Sequence, residues 1–161
     1  MDYKIGDTVI HWTYGVGCVV DIQEIHLAGT AQWYYVIDVE TLKVWVPVDE
    51  AAKGALRLPL ESNQFKRLLE ILSKPGEPLP DRYPQRKIAL RSRMEKRTLE
   101  GLCRVIRDLT DRSRSHSLSS EDSSVLFSAQ EHLLDEWVIS LGTERSKALR
   151  EMEILLQSPV I

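Results

Sequence analysis

The chain lacks long hydrophobic runs, a surplus of positive charge, a cysteine framework and any catalytic motif, and each absence excludes something. No apolar stretch approaches the ~20 residues of a membrane span. The opening Met1-Asp2-Tyr3-Lys4-Ile5-Gly6-Asp7 has no signal-peptide character. A cytoplasmic protein without a membrane partner is therefore expected. Cys18 and Cys103 are the only cysteines; a lone pair builds neither a disulfide scaffold nor a metal site and suits a reducing cytosol. With 21 basic and 24 acidic side chains the formal charge is -3. That excludes coating nucleic acid through bulk charge but leaves room for a local patch. His11, His26, His116 and His132 fall in separate segments without metal-ligand spacing. Gly15-Val16-Gly17 has no third glycine and no following helix, so it is no dinucleotide loop. Walker and nucleophile-elbow motifs are missing. Asp38 and Glu40 lie near a turn, where carboxylates serve solubility. The expectation is a protein without catalytic residues, metal or cofactor.

What is present suffices for a buried core: 161 residues, 43% hydrophobic and 28% charged, in one domain or two small ones. Two grammars divide them. Up to about residue 60 the chain spells short strands, at Thr8–His11 and at 16–25, 31–39 and 42–48, rich in Val, Ile, Trp and Tyr. Tyr14-Gly15, Ala28-Gly29-Thr30 and Glu40-Thr41 separate them. In Lys43-Val44-Trp45-Val46-Pro47-Val48 the valines share one face and Trp45 takes the other. Pro47, without a donor, belongs at a strand edge or end. So many short strands predict a small, strongly bent antiparallel barrel of the SH3 or Tudor kind.

From about residue 61 the period becomes helical. Ser62 is a candidate N-cap for a face of Phe65, Leu68, Leu69 and Leu72, which ends near Lys74 because Pro75, Gly76, Pro78 and Pro80 follow. That stretch reads as a stiff connector to further helices. Thr98 is placed to cap a helix with Leu99, Leu102, Val105, Ile106 and Leu109. Ser119 with Asp122 resembles a capping box before Val125, Leu126, Ala129, Leu133, Trp137 and Leu141. Gly142 marks a stop, and Thr143 a further cap. The fold class expected is α+β in two domains, a β-barrel over 1–60 and about four to five helices over 61–161.

The total charge conceals a pattern. Residues 82–114 hold eleven basic and four acidic side chains, net +7, whereas 1–60 sum to -4, 61–81 to -1 and 115–161 to -5. Two readings fit: a solvated face with internal ion pairs, or a patch whose arginine forks engage phosphate oxygens. Tyr83, between prolines and beside Arg82, Arg86 and Lys87, either stacks on an unpaired base or packs at a helix start.

Tyr3-Lys4-Ile5-Gly6-Asp7-Thr8-Val9, Tyr14-Gly15-Val16-Gly17, Trp33-Tyr34-Tyr35-Val36 and Val44-Trp45-Val46-Pro47-Val48 together resemble the polymerase-interacting domain of the CarD family, which transcription-repair coupling factors share. Val105-Ile106-Arg107-Asp108-Leu109, Leu118-Ser119 and the Ala129, Leu133, Leu134 pattern look like the CarD helical domain. A length of 161 residues leaves no room for helicase domains, which favours a CarD-type regulator over a coupling factor.

The resemblance implies a non-enzymatic regulator whose Tudor-like domain pairs a strand edge with the RNA polymerase β subunit, and whose helices touch promoter DNA at the upstream edge of the transcription bubble. It would be cytoplasmic, nucleoid-associated through polymerase, and a monomer. By alignment the polymerase-facing segments are 23–27 and 43–46, with Ile25, His26, Lys43, Trp45 and Val46 as contacts. Trp45 would be the chief anchor; the alternative is that it packs within its own domain or on the helices. The DNA contacts implied are Arg82, Tyr83, Arg86 and Lys87. Family members usually carry arginines where Ile25 and Trp45 stand, and a tryptophan where Tyr83 stands. A more hydrophobic polymerase contact and a weaker DNA wedge follow. The rival expectation is an adaptor that binds polymerase or another protein and never touches DNA.

Overall fold

β-Branched and aromatic residues in alternation set the first part of the chain into strands. The computed structural model describes residues 2–157. It places β1 at Thr8–His11, β2 at Gly15–Leu27, β3 at Thr30–Val39, β4 at Leu42–Pro47 and β5 at Leu56–Arg57. A helical turn, α1 (Val48–Glu50), and a wider turn, Ala51–Ala55, lead into β5. The sheet is antiparallel in the order β4-β3-β2-β1-β5. Its core is Val9, Val19, Tyr35, Ile37, Val39, Val46, Ala51 and Leu56. A register shift between Val19 and Asp21 bends β2 and lets it serve both halves of the sheet. Gly17 is required there: a Cβ would stand 2.6 Å from the Ile37 side chain and 2.8 Å from the Asp38 carbonyl oxygen. Strand β2 outruns its expected span at both ends: pairing of Gly15 with His11 extends its start, and the positive-φ turn Ala28-Gly29 carries the hairpin on to Leu27.

A second unit starts at Leu60, the first ending at Pro59. It comprises α2 (Ser62–Leu69) with a 3-10 turn (Glu70–Ser73), α3 (Tyr83–Met94), α4 (Leu99–Ser113), α5 (Ser120–Leu141) and α6 (Arg145–Gln157). This is the α+β organisation expected. Helix α4 is central, with Leu102, Cys103, Val105, Ile106 and Leu109 buried. Phe65 meets Trp137 edge-on at 5.8 Å, so α2 shares this core. Thr98 caps α4 through Oγ1 to the Gly101 amide at 3.2 Å, and Ser119 caps α5 through Oγ to the Asp122 amide at 3.1 Å. Ser62 makes no cap; it is the first helical residue after Glu61. Helix α6 opens with the Glu144 carbonyl accepting from the Ala148 amide, which leaves Thr143 one residue outside.

The proline-rich stretch is no free connector. Its Glu77 amide donates to Asp108 Oδ1 at 2.9 Å, Leu79 is buried, and the Arg86 guanidinium donates to the Pro80 and Asp81 carbonyls. The segment is strapped onto the helices.

Both thiols are free. Burial pushes the Cys103 thiol up to about 12, with Glu136 adding to the shift. It therefore stays protonated and inert at neutral pH. Alkylation of the native protein followed by peptide mass mapping is expected to leave Cys103 unmodified until denaturant is added.

Candidate functional site

Two places in the molecule combine exposure with chemistry: the far part of the sheet in the first unit and the start of α3 in the second. In the sheet, register decides what is available. Val39 and Leu42 close the two-residue loop Glu40-Thr41, and such a closing pair exchanges ladder hydrogen bonds. Alternation then directs the main chain of Val44 and Val46 to β3 and turns that of Lys43 and Trp45 outward, along the unpaired edge of β4. Pro47 has the outward parity too, so its missing N–H removes no ladder bond. Strand β1 reaches only as far as Cys18 on β2. By the same alternation from the Leu27–Thr30 pair, Ile22, Glu24 and His26 turn their main chain to a second open edge.

Side chains sort by the same period. Ile25, Lys43 and Trp45 share the face opposite the core, with Asp21 and Gln23. Trp45 is 44% exposed, and its indole N–H donates to Gln23 Oε1 at 3.1 Å, across β3. Gln23 is held in turn by its Nε2 donating to Asp21 Oδ2 at 2.9 Å. The Gln23 side chain and then the Ile22 amide hold the Asp21 carboxyl below the usual carboxylate range. Trp45 is therefore an exposed indole held in place on an open edge, and it does not pack into the core of its own sheet. Lys43 pairs with Asp38 at 2.9 Å.

Two expected contacts do not join them. Val46 is 3% exposed, its side chain is in the core and its main chain belongs to β3, so neither end of it faces a partner. His26 is exposed but lies on the opposite face from Ile25 and hydrogen-bonds Glu24 Oε1 at 2.8 Å. Only its main chain is presented, at the second edge.

In the helical unit the basic segment is divided between the interior and the surface. Arg93 and Arg107 converge on the buried Asp108, with Nε–O distances of 2.6 and 2.8 Å. Arg104 pairs with Glu77 at 3.1 Å, Arg112 with Asp81 at 3.5 Å and Arg114 with Asp111 at 3.2 Å. Arg86 is 5% exposed and pairs with Asp122 at 2.7 Å, so it is not presented to a phosphate. This corrects the expected DNA-facing set. Arg82, Lys87, Arg91 and Lys96 are exposed and have no carboxylate partner among the described residues. Tyr83, Lys87 and Arg91 recur at four-residue spacing along one side of α3, a signal the sequence held and the segment sum obscured. Tyr83, the first residue of α3, is 37% exposed, with the Arg86 guanidinium carbon 5.6 Å from its ring centroid.

Gly101 permits the close seating of α3 on α4, since a Cβ there would stand 2.1 Å from the Arg93 carbonyl oxygen. Among the described residues there is no cluster of three metal-ligating side chains, and no helix is long and apolar enough to cross a membrane.

The first unit has an open sheet edge with a held tryptophan, and the second has an exposed aromatic and exposed cations at the start of α3. Comparison with known families gives its kind. Residues 3–58 match the CarD-like/TRCF RID domain, and residues 67–153 match the CarD C-terminal domain. The chain belongs to the CarD family, a non-enzymatic family of RNA-polymerase-interacting transcription regulators.

Proposed function

We propose that the protein docks on the RNA polymerase β subunit through the β4 edge and stabilises the open promoter complex by holding the upstream edge of the transcription bubble with the start of α3. The observation that carries this reading is the unpaired β4 edge, where Lys43 and Trp45 turn their main chain outward beside an indole fixed by Gln23. Strand addition draws affinity from main-chain hydrogen bonds and specificity from alternate side chains, here Ile25, Lys43 and Trp45. In the second unit Tyr83 stacks on an unpaired base or wedges at the fork, while Arg82, Lys87 and Arg91 engage phosphates. A net charge of -3 keeps affinity for free DNA low, so polymerase brings the basic face to the promoter. The open complex gains population only by the protein's differential affinity for it. The protein works as a monomer in the cytoplasm, on the nucleoid through polymerase.

Tyr83→Ala is expected to shorten open-complex lifetime about tenfold, the loss of one base-stacking contact of ~1–2 kcal/mol. Affinity for polymerase alone should not change. Competitor-challenged dissociation on a linear promoter reads the first quantity and anisotropy titration the second. An unchanged lifetime contradicts the wedge; polymerase binding without any effect on promoter DNA would mark an adaptor instead.

A further inference from the structure

Arg86 lies one helical turn from Tyr83 and is buried among carbonyls. Its Nε donates to Asp122 Oδ2 at 2.7 Å, and its Nη1 donates to the carbonyls of Pro80 at 3.2 Å and Asp81 at 2.8 Å. Asp122 is 1% exposed and belongs to the first turn of α5, 36 residues further along the chain. A single planar fork thus ties together the loop before α3, the first turn of α3 and the start of α5, and its carbon stands 5.6 Å from the Tyr83 ring centroid.

Stability is a weak explanation for such a pair. Two charges taken out of water are no more stabilising than apolar side chains of similar volume. What the pair supplies is geometry. Arginine's rigid fork fixes its partners together, as the single point charge of a lysine does not, and a guanidinium near a ring face is attracted to it.

Resting on the wedge reading above, we propose that Asp122 is a positioning residue for Tyr83: it locks Arg86, and Arg86 holds the ring at the start of α3 with part of its surface open to a base. A ring already ordered loses less freedom when it stacks, so the lock adds to binding of the forked DNA through preorganisation. The effect reaches Tyr83 through Arg86, and Asp122 itself touches no DNA.

The test is a double-mutant cycle with wild type, Tyr83→Ala, Asp122→Asn and the double variant. Each is measured for open-complex lifetime, polymerase affinity and thermal unfolding. Asp122→Asn is expected to shorten the lifetime about threefold to tenfold in the wild-type background and to add nothing in the Tyr83→Ala background, because the two act as one unit. Equal fold-losses in both backgrounds, as a purely structural role predicts, overturn the proposal.

A readout without DNA separates this from the wedge reading. In 3-fluorotyrosine-labelled protein, the ¹⁹F resonance assigned by Tyr83→Phe should shift and narrow in Asp122→Asn as the ring is released. An unchanged resonance overturns the positioning role. A shifted resonance together with a Tyr83→Ala variant of normal lifetime overturns the wedge instead and leaves the lock standing. Should Asp122→Asn fail to fold, Arg86→Lys keeps a cation opposite Asp122 but lacks the fork. It is expected to move the same resonance and shorten the lifetime, and wild-type behaviour of that variant overturns the proposal.

Discussion

Replacing Lys43 with proline is expected to lower affinity for RNA polymerase by about a hundredfold or more, ~2.7 kcal/mol, while the sheet stays folded. Lys43 sits at a position of β4 whose N–H points away from β3. Proline there removes no ladder bond of the protein itself, and edge strands tolerate it at such positions. The internal loss is limited to the exposed Lys43–Asp38 pair, worth ~0.2–1 kcal/mol. The partner strand, in contrast, loses a donor at the centre of the added ladder and meets the pyrrolidine ring where its own carbonyl should approach. Val44→Pro is the control: its N–H faces β3, so that variant should lose the sheet and the binding together. Anisotropy titration against core polymerase, with far-UV circular dichroism on both variants, reads the difference. Near-wild-type binding by Lys43→Pro would exclude the β4 edge as the docking strand.

Asp108→Asn is expected to destabilise the helical unit by about 3–5 kcal/mol, the cost of leaving buried cations without their counterion. Three donors converge on this carboxylate: Arg93 Nε at 2.6 Å, Arg107 Nε at 2.8 Å and the Glu77 amide at 2.9 Å. The Asp108 side chain is 0% exposed and both arginine side chains 10%. The remaining carboxylate near them, Glu77, is half exposed and 3.6 Å from each arginine. It cannot replace a buried anion. The loss is a large share of the roughly 5–15 kcal/mol by which domains of this kind are stable. It should lower the melting temperature of the helical unit by about 15 °C or more. The sheet unit should be unaffected, so tryptophan fluorescence of a Trp137→Phe background, which reports mainly Trp12, Trp33 and Trp45 of the first unit, should melt as in wild type. Equal destabilisation of both units would show that the network is not confined to the helices.

How far the sequence specified this molecule depends on the range over which each signal acts. Alternation and helical periodicity are local, and β1, the caps at Thr98 and Ser119 and the separation of Trp45 from the valines around it were all legible. The same alternation puts the Ile25 and His26 side chains on opposite faces, and that of Val46 opposite Trp45, which the family resemblance does not convey. Charge was legible only as a sum. A segment sum cannot say that Asp122, Glu77 and Asp81 come from elsewhere in the chain to engage Arg86, Arg104 and Arg112, because those pairings are made by tertiary packing. The proline-rich stretch misled for a related reason: its composition is that of a spacer, and only the acceptor offered by Asp108 reveals it as a strap. The expectation of internal ion pairs holds for part of the basic segment. Arg86, Arg93, Arg104, Arg107, Arg112 and Arg114 are paired internally. Arg82, Lys87, Arg91 and Lys96 remain exposed.

The central claim is that the start of α3 meets promoter DNA only when polymerase presents it. Site-specific photocrosslinking from a benzoylphenylalanine at position 83 tests this directly. The predicted result is a crosslink to the promoter at the upstream edge of the bubble in the polymerase open complex, absent on free DNA and lost with Lys43→Pro. Crosslinks to protein alone in that complex, or to free DNA with equal yield, would contradict the account.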